Sequence, residues 1–354
     1  MTIDTIGTAG DFSTIQGWYD NYKGDITSDA NAPYIGELKD EQFDECVNFE
    51  DSTTDVTHYF HLRPQIGANP VVAGDGSAGD VVRVEDDYFR ITNNTSGNIT
   101  ISGGSLSAGS DWKLGLHVSG DFCFVDSIIV KDIENIQGNS NSFIIGISMS
   151  KSGIIRNCLV YNLKSENSSD KKGTSAKGIV ATVSSSKDIY IYNNTVHHIE
   201  ARNNKDESRA SVNGIVGPPS SLSSKIYNNV VGDLIVTAGE GTVLAFDFDL
   251  YGGTHDYNAA TDTTVSGEAH GQPSIDTSLE FTNKEISTLD LSINKSTSVD
   301  LLNNGFDLVT AGYTNATNED FYGFDRSKKA NWDIGAILSY EPVIGPFPTF
   351  FRPE

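Results

Sequence analysis

Apolar residues in this chain come in short β-branched bursts rather than in long amphipathic stretches. Ile144-Ile145-Gly146-Ile147, Ile154-Ile155 and Leu159-Val160 follow one another within a few residues. A helix needs about ten residues or more, so bursts of this length read as strands. The bursts recur. SIIVKDI from Ser127, NCLVYNL from Asn157, NNTVHHI from Asn193 and NNVVGDL from Asn228 align without gaps, their starts 30, 36 and 35 residues apart. A second register precedes each: GLHV from Gly115, GISM from Gly146, GIVA from Gly178 and GIVG from Gly214, spaced 31, 32 and 36 residues. Two registers with one period describe the coils of a solenoid, each strand pairing with its counterpart in the next coil. The pairing predicts one apolar column of Val130, Val160, Val196 and Val231, and another of Ile133, Leu163, Ile199 and Leu234. The connecting segments SENSSDKKGTSA and EARNNKDESRAS are polar and are expected to protrude as loops.

The pattern resembles the right-handed parallel β-helix superfamily of pectate lyases and phage tailspikes, over about residues 80–336. The resemblance implies an all-β chain: a single-stranded right-handed parallel β-helix (solenoid) with an N-terminal helical cap and an irregular C-terminal cap. The expected divisions are a cap region at 1–75, coils at 76–265, a closing segment at 266–340 and a Pro/Phe-rich tail at 341–354. Asn157, Asn193 and Asn228 fall where such proteins carry an asparagine ladder at a sharp turn. In DFSTIQGWYDNY, Ser13 and Gln16 form a capping-box pattern, with Ile15, Trp18, Tyr19 and Tyr22 at helical spacing behind it. PSIDTSLEF, LDLSINKSTSVDLLNNG and DFYGFDRSKKANWDIGA are similar to the closing segment of such repeat proteins, where Arg326 and Asp333 read as an ion pair. The first 75 residues resemble uncharacterised β-helix proteins of phage genomes.

Composition narrows the partners. The 354 residues carry a net charge of -24, with 37% hydrophobic and 10% aromatic residues. That is too apolar for a disordered chain. It is too acidic for nucleic acid, which needs a basic surface, and for an anionic membrane surface. No run of 18 apolar residues is present, so no membrane insertion is expected. The first residues, MTIDTIGTAGDF, lack a basic and apolar leader, so no secretory signal is expected. Cys46, Cys123 and Cys158 form no CxxC pair and read as isolated thiols, two of them in apolar runs.

Catalytic candidates lie on the outward columns. One reads Asp132, Asn162, His198, Asp233; its neighbour reads Lys131, Tyr161, His197, Gly232. His198 beside Asp233 has the pattern of an oriented base. Calcium-dependent lyases of the superfamily need several carboxylates from adjacent coils, and only Asp233 and Asp132 qualify, so no cofactor is expected; Ca2+ is the one the resemblance offers. Asp247 and Asp249 alternate with phenylalanines and so share a strand face about 6–7 Å apart, a spacing open to a glycosidase pair and equally to a solvated acidic face.

Three functions compete. The favoured one is a structural virion protein of a bacteriophage — a spike, fibre or head-decoration protein — that contacts other virion proteins and host surface polysaccharide. The alternatives are a polysaccharide lyase or glycoside hydrolase, and a bacterial surface adhesin. Synthesis in the host cytoplasm followed by assembly into the virion fits the missing leader. The tail EPVIGPFPTFFRPE must bury Phe347, Phe350 and Phe351 against the solenoid or against another subunit, which makes them candidate assembly residues. A homo-oligomer is expected, and the resemblance to tailspikes implies a trimer. Lys164, Lys171, Lys172, Lys177, Arg202, Lys205 and Arg209, in the segments 164–177 and 200–213, offer a second contact to an acidic neighbour.

Overall fold

A computed structural model describes residues 1–74, 79–94, 97–107, 112–137, 141–168, 173–182, 188–203, 209–218, 223–237, 240–248, 253–285, 289–313, 319–322, 324–329 and 331–337. The chain is a parallel β-helix. Its strands form three parallel sheets of nine, seven and eight strands, and each full coil contributes one strand to each. One coil shows the plan. Ser142–Met149 lies in the seven-stranded sheet, Gly153–Arg156 in the nine-stranded and Leu159–Asn167 in the eight-stranded. The next coil repeats it with Thr174–Ala181, Ile189–Tyr192 and Thr195–Asn203.

Val130, Val160, Val196 and Val231 are register partners in the eight-stranded sheet, as are Ile133, Leu163, Ile199 and Leu234. The glycine register lies directly across the lumen from them. A Cβ on Gly146 would stand 2.5 Å from Val160 Cγ1, one on Gly178 2.4 Å from Val196 Cγ1, and one on Gly214 2.1 Å from Val231 Cγ1. The two sequence registers are therefore the two sides of one contact. The valine column packs on bare backbone of the facing sheet, and only glycine leaves room for it.

Polar ladders hold the corners. Ser127, Asn157, Asn193, Asn228 and Tyr257 all take a left-handed conformation (φ 52–57°) where the nine-stranded sheet turns into the eight-stranded. Asn228 Nδ2 donates to Asn193 Oδ1 (3.1 Å), and Asn157 Nδ2 to Asp126 Oδ1 (3.2 Å). The continuous buried chain of amides runs one residue later. Asn194 Oδ1 accepts from the Cys158 amide (2.9 Å), Asn229 Oδ1 from the Asn194 amide and side chain (both 3.0 Å), and Asn258 Oδ1 from the same two groups of Asn229 (both 3.0 Å). Glu268 ends the chain by accepting from the amide and side chain of Asn258 (3.0 and 2.8 Å).

The coils begin earlier than the repeat predicts. Thr2–Ile6, Tyr34–Leu38 and Phe60–Pro64 are already successive members of the nine-stranded sheet, so residues 1–75 hold coils as well as the cap. The cap helix is Ile15–Tyr22, and its N-cap is Thr14, whose side chain accepts from the Gly17 amide, rather than Ser13. The reason lies in the next coil. Glu45 fills the orphan amides of Ile15 and Gln16 (2.8 and 3.1 Å), a carboxylate at the positive end of the helix. Gln16 is drawn away from a capping box by bonding both backbone groups of Asn48 (2.8 and 3.0 Å).

At the far end, residues 258–272 close the lumen. Val265 is fully buried in the main core, and Asp262 and Thr264 accept the amides of Ala245 and Phe246 on the last strand of the seven-stranded sheet (2.7 and 3.2 Å). Much of the chain after that does not cap the end but folds back along the flank. Phe281, Leu291, Ile293, Leu301 and Phe321 bury the outward-facing Ile129, Leu159, Val230 and Ala259. The Ala336 amide donates to Thr195 Oγ1 (3.0 Å), and Asn93 Nδ2 donates to the Phe321 carbonyl (3.2 Å). Arg326 and Asp333 stand together, but not carboxylate to guanidinium. The fully buried Arg326 donates to the carbonyls of Asp333, Gly335 and Ala336 (3.2, 2.9 and 3.1 Å). The Asp333 carboxylate pairs with Lys329 (2.6 Å) and accepts the Asn303 amide.

Candidate functional site

Asp132, Asn162, His198 and Asp233 form a second left-handed column (φ 52–53°), a bend inside the eight-stranded sheet. Short polar side chains tolerate this conformation best, which accounts for the aspartates and asparagine without chemistry. His198 Nδ1 and Asp233 Oδ2 are 2.6 Å apart. The hydrogen bond to His198 holds the Asp233 carboxyl below its usual range despite partial burial. His197 is fully buried beneath the returning segment. Its Nε2 is 3.9 Å from Asp233 and 3.4 Å from the Lys284 carbonyl, and Phe281 meets its ring edge to face. Burial pushes its pKa down to about 4. Asp132 accepts from Asn162 (2.6 Å) and pairs with Lys131 (3.3 Å).

Asp247 faces Asn213, whose Nδ2 is 3.4 Å away. Asp249 lies outside the described residues, as do Phe347, Phe350, Phe351 and the whole tail, and Lys171, Lys172 and Lys205.

Two clefts carry more convergent chemistry. The first is on the outer face of the seven-stranded sheet. Trp112, Phe143, Ser175, Ser211 and Thr242 are successive partners in one column. Trp112, half exposed, stacks on Phe143 with centroids 4.5 Å apart and planes 22° apart. The stack then stops, because the next positions are short hydroxyls. The result is a cleft of about 560 Å³ with Phe143 at one end, Ser175, Ser211 and Thr242 as its floor, and Arg209 on its wall. Ser211 Oγ and Ser175 Oγ are 2.9 Å apart. Lys177 lies two residues beyond Ser175 on the same face of the strand Thr174–Ala181.

The second cleft, of about 600 Å³, lies between the last turn of the nine-stranded sheet and the returning segment. His270, Gln272, Asn303, Phe306, Asp307 and Asn331 are among its walls. The His270 ring is fixed twice. Nδ1 bonds to Asp256 Oδ2 (2.8 Å), and the ring stacks on Tyr257 at 4.3 Å and 9°. Tyr257 stacks in turn on Phe306 (4.9 Å, 17°). Asp256 Oδ1 is anchored by the amides of Tyr257 and His270 (2.9 and 2.8 Å). No repeat pattern points to this cleft, since its walls come from segments about 50 residues apart. The first cleft was legible in principle from the alternation WKLGLHV, whose lone outward tryptophan precedes phenylalanine and then serines in the aligned units.

No known family's sequence profile matches the chain, and no curated protein matches it. Among solved structures, a pectin methylesterase from carrot is similar over 71% of this chain and 87% of that chain, with 15% identity and a TM-score of 0.34. The description of the chain as a parallel β-helix rests on its own strand ladder.

Proposed function

We propose that the protein is a rigid β-helical rod that binds surface polysaccharide through the cleft on its seven-stranded sheet. The observation that carries this reading is the Trp112–Phe143 stack ending at a floor of hydroxyls. A sugar ring lying on Ser175 continues the stack against the Phe143 face, and the serine and threonine hydroxyls meet its hydroxyls. Arg209 and Lys177 flank that floor and favour acidic sugars. The setting we propose is a bacteriophage virion, as a spike, fibre or head-decoration protein in contact with other virion proteins. The likeness of the N-terminal region to phage β-helix proteins supports it. A homo-oligomer, a trimer on the same likeness, belongs to the proposal, as does the absence of a required cofactor. A glycan array probed with the wild type and with Phe143→Ala and Trp112→Ala tests the binding. Equal signals from all three sink it. Purified virions lacking the chain sink the setting, and mass photometry showing a monomer at low and high salt sinks the oligomer. A second reading, an enzyme acting on polysaccharide, is favoured by the His198–Asp233 contact. Turnover of capsule, alginate or pectin that disappears in Asp233→Ala or Asp247→Ala would put it first.

A further inference from the structure

We infer that the cleft beneath Tyr257 is a hydrolytic site for small O-acyl esters of sugars, with His270 as its general base and Asp256 as the residue that positions it. The argument starts from what each group is committed to. Asp256, acceptor of three bonds, accepts the proton-bearing Nδ1 of His270. That fixes the tautomer and leaves a lone pair on Nε2. The side chain of His270 is 55% exposed, at a wall of the cleft, so Nε2 is open to a ligand there. Stacking on Tyr257 stops the ring from turning away. Three further polar residues share the cleft: among the described residues, Gln272, Asn303 and Asn331 line it, and their side-chain amides hold no bond of their own. An oriented base in a cleft lined by amide donors is what acyl transfer to water requires.

The chemistry closes without a co-reactant. Nε2 takes a proton from a water molecule as the water oxygen bonds to the acyl carbon. The carbonyl electron pair moves onto its oxygen, where the amide N–H groups of Asn303 and Gln272 hold the charge. The tetrahedral intermediate collapses with cleavage of the bond to the sugar oxygen, and the imidazolium returns its proton to that oxygen. A sugar hydroxyl and a carboxylic acid leave, and the imidazole is regenerated. The polysaccharide-binding reading supplies only the identity of the alcohol; the base and its cleft stand apart from the aromatic stack.

The test uses the full chain and O-acetylated xylo-oligosaccharides, with released acetate followed by pH-stat. The wild type releases acetate well above the rate in buffer. His270→Gln loses it by about 100-fold or more, the scale of a positioned general base. Asp256→Asn falls comparably while keeping the wild-type unfolding midpoint, and Asn303→Ala lowers kcat with KM within twofold. Release no faster than buffer, or release that survives His270→Gln, overturns the proposal. Wild-type binding of the deacetylated oligosaccharide without acetate release would refute this site and leave the rod's glycan reading standing.

Discussion

Gly178→Ala tests the packing at the heart of the coil. The glycine is not needed for its backbone, which lies outside the left-handed region; it is needed for space. In an unconstrained strand the change would stabilise by about 0.5–1 kcal/mol, through loss of unfolded-chain freedom. Here the new methyl meets Val196 Cγ1 at 2.4 Å and the Gly214 carbonyl oxygen at 2.6 Å. Overpacking costs about 1–3 kcal/mol. The upper end applies, because one of the two obstacles is backbone and cannot rotate aside. The expected net loss is about 2 kcal/mol. Val196→Ala alone removes two buried methyl groups, again about 2 kcal/mol. The double variant should cost about 1 kcal/mol less than the sum, since truncating Val196 frees the closer contact and leaves the carbonyl one. Equilibrium urea unfolding of the four proteins, followed by tryptophan fluorescence and far-UV circular dichroism together, measures the cycle. A Gly178→Ala midpoint at or above wild type, or a double variant additive within about 0.3 kcal/mol, would refute the claim that the two columns touch.

Asn229→Ala should destabilise by about 3 kcal/mol in the same assay, because it strips two buried inter-coil partners at once, while Asn157→Ala should cost less than half of that; equal losses would place the ladder wrongly. His197 stays neutral in the fold down to about pH 4, whereas in the unfolded chain it takes a proton near pH 6.5, so its share of the stability is complete above pH 6.5 and falls by roughly 3 kcal/mol as pH drops to 4. The fall should shrink in His197→Gln, and a flat stability profile from pH 7 to 4.5 in the wild type would contradict it. Lys177→Gln and Arg209→Gln should each weaken binding of a uronate oligosaccharide several-fold at low salt and leave a neutral one unchanged, by isothermal titration; loss of both ligands alike would remove charge from the account.

The coils were legible because each strand position repeats one residue type per turn, so Val160, Val196 and Val231 announce both their column and its register. The ladder was legible only to within a residue. Asn193-Asn194 and Asn228-Asn229 are doublets, and the left-handed turn and the buried amide occupy neighbouring places that composition alone does not separate. The N-cap slipped from Ser13 to Thr14 for another reason: Glu45, about 30 residues away in sequence, binds the helix end. His198 and Asp233 came together as their column predicted, yet that column is equally a bend that favours short polar residues. The Asp256–His270 cleft had no signature, because its far wall is the returning chain at 303–311, whose course is set by burial of Leu301 and Phe321 and not by any period.

That returning chain also changes how the rod comes apart. A solenoid whose coils touch only their neighbours behaves as a one-dimensional array, and it frays from its ends one unit at a time. Here Phe306, bonded to Asn228, and Phe321, bonded to Asn93, are anchored four coil spacings apart, about 19 Å along the axis. The returning chain acts as a stitch across units that are otherwise independent. Opening the coil at Val230 also strains the contact made at Asn93, so the coils between those two anchors yield as one cooperative block instead of peeling one by one, while the coils beyond them fray on their own.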